Sequence, residues 1–427
     1  MSENNILVVV NNELCFGCGT CNMVCPAKAI HMDFSSMGRL LPDVNGNSCT
    51  QCGLCLQLCP GIDVSRKLAE KIEPTLLGEV QEVLYARSAD DETFNNAQSG
   101  GATTETLAFL FDEDCIDAAL VVVQEKHLAK YRVVRNKRDV YASQTSQYTP
   151  VDLVSGLPLL KDFKHVAVVG LPCHLEGVVK LKEKFPNKYY NIEYLLGLIC
   201  AGTQSQLTVN VVKCIGEKRI GKITEDEQIR WRQKKYSNYK RADIAILDSE
   251  GIVRMLNNSI RHTAKHYLSS PRCKLCFDKM NLYADVVFGD AWGVSGEDTK
   301  MGGNVIVCRT DKGKALIDKM ISKGRLKGRP CPIEEVSKGQ GIPKKKKTVE
   351  KMAYIYSQKS WQLPGWIKGD VFEASEKNAE SLKKDVDEYL SRSMRQSDKV
   401  VREISKKIKR ELVLMDIKKF LRKIIHK

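Results

Sequence analysis

The chain alternates short apolar runs with longer polar stretches, and the runs set the elements to expect. Asp117–Val123, His165–Gly170, Tyr194–Cys200, Ala242–Asp248, Asp285–Gly289 and Asn304–Arg309 are each rich in branched aliphatic residues, a length and composition that predict strands. Helical stretches such as Leu175–Lys184 lie between them, so an α/β or mixed domain with a buried sheet is expected. Ala242–Leu247 and Ile252–Leu256, joined through Asp248-Ser-Glu-Gly251, read as a β-hairpin, which makes that sheet mixed. Upstream, Ser99-Gly100-Gly101 opens a segment whose Leu107, Leu110 and Phe111 follow a helical rhythm. Residues 64–80 are charged and helix-prone and read as a connector. Near the end, Val401, Ile404, Ile408, Leu412 and Met415, then Ile417, Phe420, Leu421 and Ile424, alternate with Lys and Arg. They predict a basic amphipathic helix, interrupted near Asp416.

At 427 residues the chain has room for two or three domains, and 43% hydrophobic content is ordinary for a folded protein. Its longest apolar runs, such as Ile6–Val10 and Ala118–Val123, are too short to cross a bilayer. The first residues have none of the marks of a signal peptide, so a cytoplasmic protein is expected. The net charge of +15 first suggests nucleic acid, but Lys399–Lys427 alone holds eleven Lys or Arg against three acids. Much of the basicity belongs to the tail, no nucleic-acid recognition fold is visible, and no nucleic-acid partner is expected.

Sixteen cysteines in a large chain without an export signal point to reduced thiolates holding metal. Half of them form two matching runs, Cys15-x2-Cys18-x2-Cys21-x3-Cys25-Pro26 and Cys49-x2-Cys52-x2-Cys55-x3-Cys59-Pro60, offset by 34 residues. This duplication is the signature of a bacterial ferredoxin-like module with two 4Fe–4S clusters. Cysteines at every third position wrap three thiolates round one cubane, and the cysteine before proline turns away to the other. The expected ligand sets are crossed: Cys15, Cys18, Cys21 and Cys59 for one cluster, Cys49, Cys52, Cys55 and Cys25 for the other. Gly17, Gly19 and Gly53 let backbone N–H groups approach the sulfurs. Structural zinc is the competing reading, but zinc motifs pair two C-x2-C units rather than two runs of four ending in Cys-Pro.

Other features carry weaker signals. A glycine pair leading into a helix N-terminus, as at Ser99-Gly100-Gly101, is suited to hold a phosphate, although it is often only a turn. Cys173, in Gly170-Leu-Pro-Cys-His174, and Cys200 stand at strand ends, and Cys273 and Cys276 form a C-x2-C in a polar loop. Two readings stand: the four meet around a third 4Fe–4S cluster, or two are core residues and two an unrelated pair. Cys173 and His174 are poor candidates for a nucleophile and base, because adjacent residues seldom face each other. Gly289-Asp290 and Met301-Gly-Gly-Asn304 lie at strand ends, where α/β domains favour ligand sites.

In order along the chain, the ferredoxin module, Ser99-Gly100-Gly101, Thr145-Ser-Gln-Tyr148, Gly170-Leu-Pro-Cys-His174, Cys200-x-Gly202, Cys273-x2-Cys276 and Ala284-Asp285 leading to Gly289-Asp290 form a recognisable set. Over residues 12–320 it resembles the family of coenzyme F420 hydrogenase/dehydrogenase beta subunits. The resemblance implies an oxidoreductase with FAD in the central domain, held by the Ser99–Gly101 loop, with Tyr148, Gly289 and Asp290 as further cofactor contacts. It also favours the third cluster at Cys173, Cys200, Cys273 and Cys276, and coenzyme F420 as the substrate. The implied architecture is α+β or mixed α/β: a two-cluster ferredoxin-like domain at 1–66, a mixed-sheet flavoprotein domain at 75–335 and a helical basic extension at 336–427. One departure is Gln147, where relatives often carry Lys or Arg.

Two functions follow. In one, the chain is a flavoenzyme passing electrons between a hydride donor or acceptor and a one-electron carrier or partner redox enzyme. In the other, it is an electron relay without an organic substrate, docking on a partner enzyme. The tail would lie on an anionic membrane surface, dock on an acidic protein or pack on its own chain. A basic surface would also steer acidic carriers inward.

Overall fold

A computed structural model describes residues 4–65, 72–240, 242–367, 369 and 371–425. Between the two cysteine runs, β1 (Ile30–Phe34) and β2 (Leu40–Val44) pair as an antiparallel hairpin. Each run passes through a left-handed glycine, Gly19 at φ 88° and Gly53 at φ 71°, into a short helix, Thr20–Val24 or Leu54–Gln57. The duplication in sequence is therefore repeated in the backbone, because a non-glycine residue at these φ values is strained.

Next come β3 (Glu82–Ser88), β4 (Ala118–Glu125), β5 (Leu128–Val134), β6 (Val166–Gly170) and β7 (Ile192–Leu198). They are followed by β8 (Gln228–Arg230), β9 (Ile244–Leu247) and β10 (Val253–Leu256), then β11 (Val286–Asp290), β12 (Asn304–Cys308) and β13 (Leu326–Pro330). Eight of these form one sheet in the order β13-β3-β12-β11-β7-β6-β4-β5. β4, β6, β7 and β11 run parallel to their neighbours in that series, and the remaining pairs are antiparallel. The sheet is mixed, as expected. The β9–β10 hairpin also forms, but it joins β8 in a separate three-stranded sheet.

The central strands are buried on both faces, which explains their unbroken apolar runs. Val166, Val168, Val287, Val305 and Val307 face a core that also contains Leu14, Cys15 and Leu58 of the cysteine module. Ala167, Val169, Val286, Phe288 and Ile306 face the other way, against helices Ala102–Asp112 and Asp311–Ser322. The module is thus fastened to the sheet by shared apolar burial, at about 1.5–3 kcal/mol for each large side chain.

β5 and β13 escape the run-based reading because they are sheet edges. Their charged side chains, such as Lys130 and Lys327, point to solvent and interrupt any apolar run. Of the connector, residues 66–71 lie outside the described residues, and 72–80 form turns and irregular chain rather than helix. Arg309 holds that stretch by donating to the carbonyls of Leu77 (2.9 Å) and Glu79 (2.7 Å).

The C-terminal helix runs without interruption from Ser397 to Ile425, so the break expected near Asp416 is absent. Val400, Val401, Ile404, Ile408 and Leu412 are buried against a core with Leu207, Val211 and Ile260 from helices Leu207–Ile220 and Ser259–Leu268. Up to Leu412, then, the apolar stripe packs on its own chain. Among the described residues, no helix is long and apolar enough to cross a membrane.

Candidate functional site

Three cavities lie in series. The first is lined by Cys15, Cys18, Cys21 and Cys59, so the fourth cysteine of the second run joins the first three of the first run. Backbone N–H groups point at sulfur from two residues downstream: Gly17 to Cys15 and Gly61 to Cys59, each at 3.3 Å. Burial pushes Cys15 up to about 11 and Cys59 up to about 12. Cys55 is buried, Cys25 and Cys49 are half-buried and Cys52 is exposed, so that set opens to the surface. Ala29 donates its N–H to Cys25 Sγ at 3.3 Å.

The second cavity is lined by Cys173, Cys200, Cys273 and Cys276. Cys173 enters at the start of helix Pro172–Lys184, just after β6, and Cys200 follows β7. Cys273 and Cys276 come from the short helix Pro271–Leu275 and its end. Gly202 N–H reaches Cys200 Sγ at 3.3 Å, the same local bond seen in the module. Burial raises Cys276 to about 12. It also opposes ionisation of Cys273, but Ser270, Thr203 and Lys345 more than offset it and hold that thiol below its ordinary value. Lys345, on helix Ile342–Gln358, donates to the carbonyls of Cys273 (2.9 Å) and Lys274 (3.1 Å). Among the described residues no three His, Cys, Asp or Glu side chains converge on the position of a single ion. The thiols ring small cavities instead.

The third cavity, of about 270 Å³, sits at the ends of β6, β7 and β11. Its apolar wall includes Leu107, Val121, Val169, Leu198 and Phe288. Its polar end is the Ser99–Gly101 loop and the first turn of helix Ala102–Asp112. Asn304 organises that loop: it donates to Ser99 Oγ (2.9 Å) and to the Gly289 carbonyl (3.0 Å), and accepts from Ala102 N–H (3.0 Å). Lys234 donates to the Ser99 and Met301 carbonyls, and burial drops its amine to about 7. Of the predicted contacts, Ser99, Gly101, Tyr148, Gly289 and Asp290 line the cavity, whereas Gly100 packs behind it against Ala86 and Asn304.

Asp290 is occupied by Arg232, whose Nη1 lies 2.5 Å from Asp290 Oδ2 and 3.3 Å from the Tyr148 hydroxyl. Burial opposes ionisation of Tyr148, but Arg232 and Arg261, the latter 3.9 Å above its ring, hold the phenol below its ordinary value. Gln147 lines the same cavity, and Arg232 supplies a cation there. Gln98 Oε1, Thr145 Oγ1, Gln147 Nε2 and Arg232 Nη2 are buried without partners on lining residues. Such atoms in an apolar cavity suit a planar ligand with a polar edge. His174 is spoken for: burial lowers it to about 4, and its Nε2 lies 3.1 Å from the Val151 carbonyl.

The cavities share walls. Phe16 lines the first and second, and Cys200, Gly202 and Thr203 line the second and third. Sequence reasoning missed Arg232 and Lys345. Arg232 has no motif, and Lys345 sits in a run, Lys344–Lys347, that looks like solvated charge.

A ferredoxin-type cysteine module sharing a core with a mixed-sheet domain defines an iron–sulfur oxidoreductase built around a large interior cavity. Three family models match in turn: a 4Fe-4S dicluster domain over residues 14–61, the N-terminal part of the coenzyme F420 hydrogenase/dehydrogenase beta subunit over 83–158, and its C-terminal part over 163–334. The chain belongs to the family of coenzyme F420 hydrogenase/dehydrogenase beta subunits. It is 25% identical to the beta subunit of the coenzyme F420 hydrogenase of Methanothermobacter thermautotrophicus, over 68% of this chain and 99% of that one. It is 24% identical to a subunit of the F(420)H(2) dehydrogenase of Methanosarcina mazei, over 78% and 90%. A coenzyme F420-dependent sulfite reductase of Methanocaldococcus jannaschii is 26% identical over 74% of this chain, which spans about half (47%) of its length. The fold resembles a chain of the F420-reducing NiFe hydrogenase complex of Methanosarcina barkeri, with TM-score 0.53 and 20% identity over 68% of this chain and 97% of that one.

Proposed function

We propose that this chain is an iron–sulfur flavoprotein that exchanges electron pairs with a deazaflavin-type hydride carrier and passes them singly to a partner. The observation carrying this reading is the run of three cavities with shared walls, from the large cavity to the one lined by Cys15, Cys18, Cys21 and Cys59. A bound FAD would take up a hydride and release its electrons one at a time, the conversion an iron–sulfur chain requires. The Ser99–Gly101 loop and the helix after it would hold the FAD phosphates. Phe288, Val169 and Leu198 would keep water from the ring, while Arg232 and Tyr148 supply charge and a hydroxyl at its edge. Cys173, Cys200, Cys273 and Cys276 would hold the first cluster, Cys15, Cys18, Cys21 and Cys59 the second, and Cys49, Cys52, Cys55 and Cys25 the outlet. In this reading residues 1–66 are the outlet and 75–335 the converter, while 336–427 brace both and lend Lys345 to the inner cysteines.

Anaerobic purification with iron, sulfide and flavin analysis tests the content. About twelve irons, four for each cluster, and one FAD per chain are expected. About eight irons without flavin would sink the flavoenzyme and leave the electron relay. Oxidation of reduced F420 with a viologen acceptor then tests the carrier, and silence with every acceptor tried would reject it.

A further inference from the structure

Arg272 is a buried charge with little around it to balance it. It is 1% exposed, on the helix that carries Cys273. Its guanidinium stacks on the Phe16 ring at 4.0 Å, and Phe16 lines both the first and the second cavity. Trp366 lies on another side, with its ring centroid 5.6 Å away. The one hydrogen bond its guanidinium makes among the described residues is a long one, from Nη2 to the Gly61 carbonyl at 3.5 Å. Among the described residues, Nε and Nη1 are buried without a hydrogen-bond partner and no carboxylate pairs with the guanidinium. A buried guanidinium remains charged, and leaving it uncompensated is costly. Its surroundings name the missing anion. Gly61 follows Cys59 of the first cavity by two residues, and Arg272 directly precedes Cys273 of the second on the helix Pro271–Leu275.

We propose that Arg272 is a fixed counter-charge shared by the two inner cysteine centres, raising the potential of both together, so that each is easier to reduce while the driving force of the electron step between them is unchanged. The proposal rests on reading both centres as 4Fe–4S clusters. Such a cluster with four thiolates carries a charge of about −2, and its potential responds to nearby charge. The step served moves one electron, oxidising one cluster and reducing the next, with no bond made or broken and no proton moved. Arg272 touches no substrate and is a positioning charge. Lys345 donates at the second cavity, and Arg39 and Lys180 donate to the Cys15 and Cys59 carbonyls of the first, whereas Arg272 stacks on Phe16, which lines both.

The test is a redox titration followed by electron paramagnetic resonance, on the full chain carrying its clusters, with Arg272→Met and Arg272→Lys. Arg272→Met keeps the bulk and removes the charge. At an unchanged iron content it should move two of three cluster signals to lower potential, changing the reduced-to-oxidised ratio at least tenfold, about 59 mV for one electron. The outer cluster should not move, and Arg272→Lys should return both inner signals towards the wild type. No shift at full iron content, an equal shift in all three signals, or a lysine variant as displaced as the methionine variant would overturn the proposal. If Arg272→Met does not fold or load iron, Arg272→Lys decides. Full iron with near-native potentials supports the charge, and lost iron assigns Arg272 to packing instead. About eight irons in the wild type would overturn the underlying cluster reading before any variant is made.

Discussion

Gly100→Ala tests the loop that closes the polar end of the large cavity. The added Cβ would stand 2.5 Å from Asn304 Oδ1 and 2.7 Å from both the Ala86 carbonyl oxygen and the Asn304 nitrogen. The latter two are backbone atoms of β3 and β12, paired with each other inside the sheet, so neither strand can yield. The loop must move, and with it the Asn304 bonds to Ser99 Oγ and Ala102 N–H. Overpacking of this kind costs about 1–3 kcal/mol, and each lost hydrogen bond adds about 1 kcal/mol. If the cavity holds the proposed flavin and about 2 kcal/mol of this falls on the bound form, affinity drops roughly thirtyfold. The assay is flavin bound per chain and its dissociation constant after anaerobic purification, with iron content as the control. Iron should stay level, since the cysteines lie away from this loop. A second variant sharpens the test: Asn304→Ala removes the crowded oxygen, so the double variant should fall short of additivity by about 1 kcal/mol or more. Wild-type flavin affinity and unchanged stability in Gly100→Ala would show that the loop accommodates the methyl group without moving the Asn304 bonds.

Cys200→Ser should lower the iron count by about four of twelve while leaving the resonance signals of the N-terminal clusters in place; loss of all iron would show that the centres do not load independently. Lys234 has an ordinary value near 10.5 in the unfolded chain and about 7 when folded, so the unfolded chain binds more protons between those limits. Stability contributed by Lys234 should therefore rise with pH from 7 to 10.5, by up to about 1.4 kcal/mol per unit, and Lys234→Met should flatten the denaturant-midpoint curve over that window. Ile404 is fully buried, so Ile404→Ala should cost about 2–5 kcal/mol in chemical unfolding. Ile417 is 49% exposed on the same helix, and Ile417→Ala should change stability by less than about 0.5 kcal/mol; equal effects would contradict packing of the tail on its own chain.

What was legible in the sequence was local. Ligand cysteines at every third residue must wrap one small body, so Cys15–Cys25 and Cys49–Cys59 declare their purpose within a dozen residues each. Unbroken aliphatic runs such as Val166–Gly170 declare a strand buried on both faces. Even Ser99-Gly100-Gly101 is local, because the glycines precede the helix they serve. The edge strands β5 and β13 were not legible, since exposed residues such as Lys130 and Arg132 in β5 and Lys327–Pro330 in β13 break the apolar signal.

Only the tertiary structure decided which distant residues meet. Cys173, Cys200, Cys273 and Cys276 span a hundred residues, and they converge because β6, β7 and the Pro271–Leu275 helix end at one place. Asp290 reads as a cofactor contact in sequence, and folding places it on the cavity wall and adds Arg232 as its ion-pair partner. Lys345 and Arg272 look like surface charge among other charges, yet folding sets Lys345 half-buried against the Cys273 carbonyl and buries Arg272 beside Cys273. The reason is physical. Spacing along the chain constrains a site only over the few residues a loop or turn can hold together, while charge balance across a sheet depends on packing that no local pattern encodes.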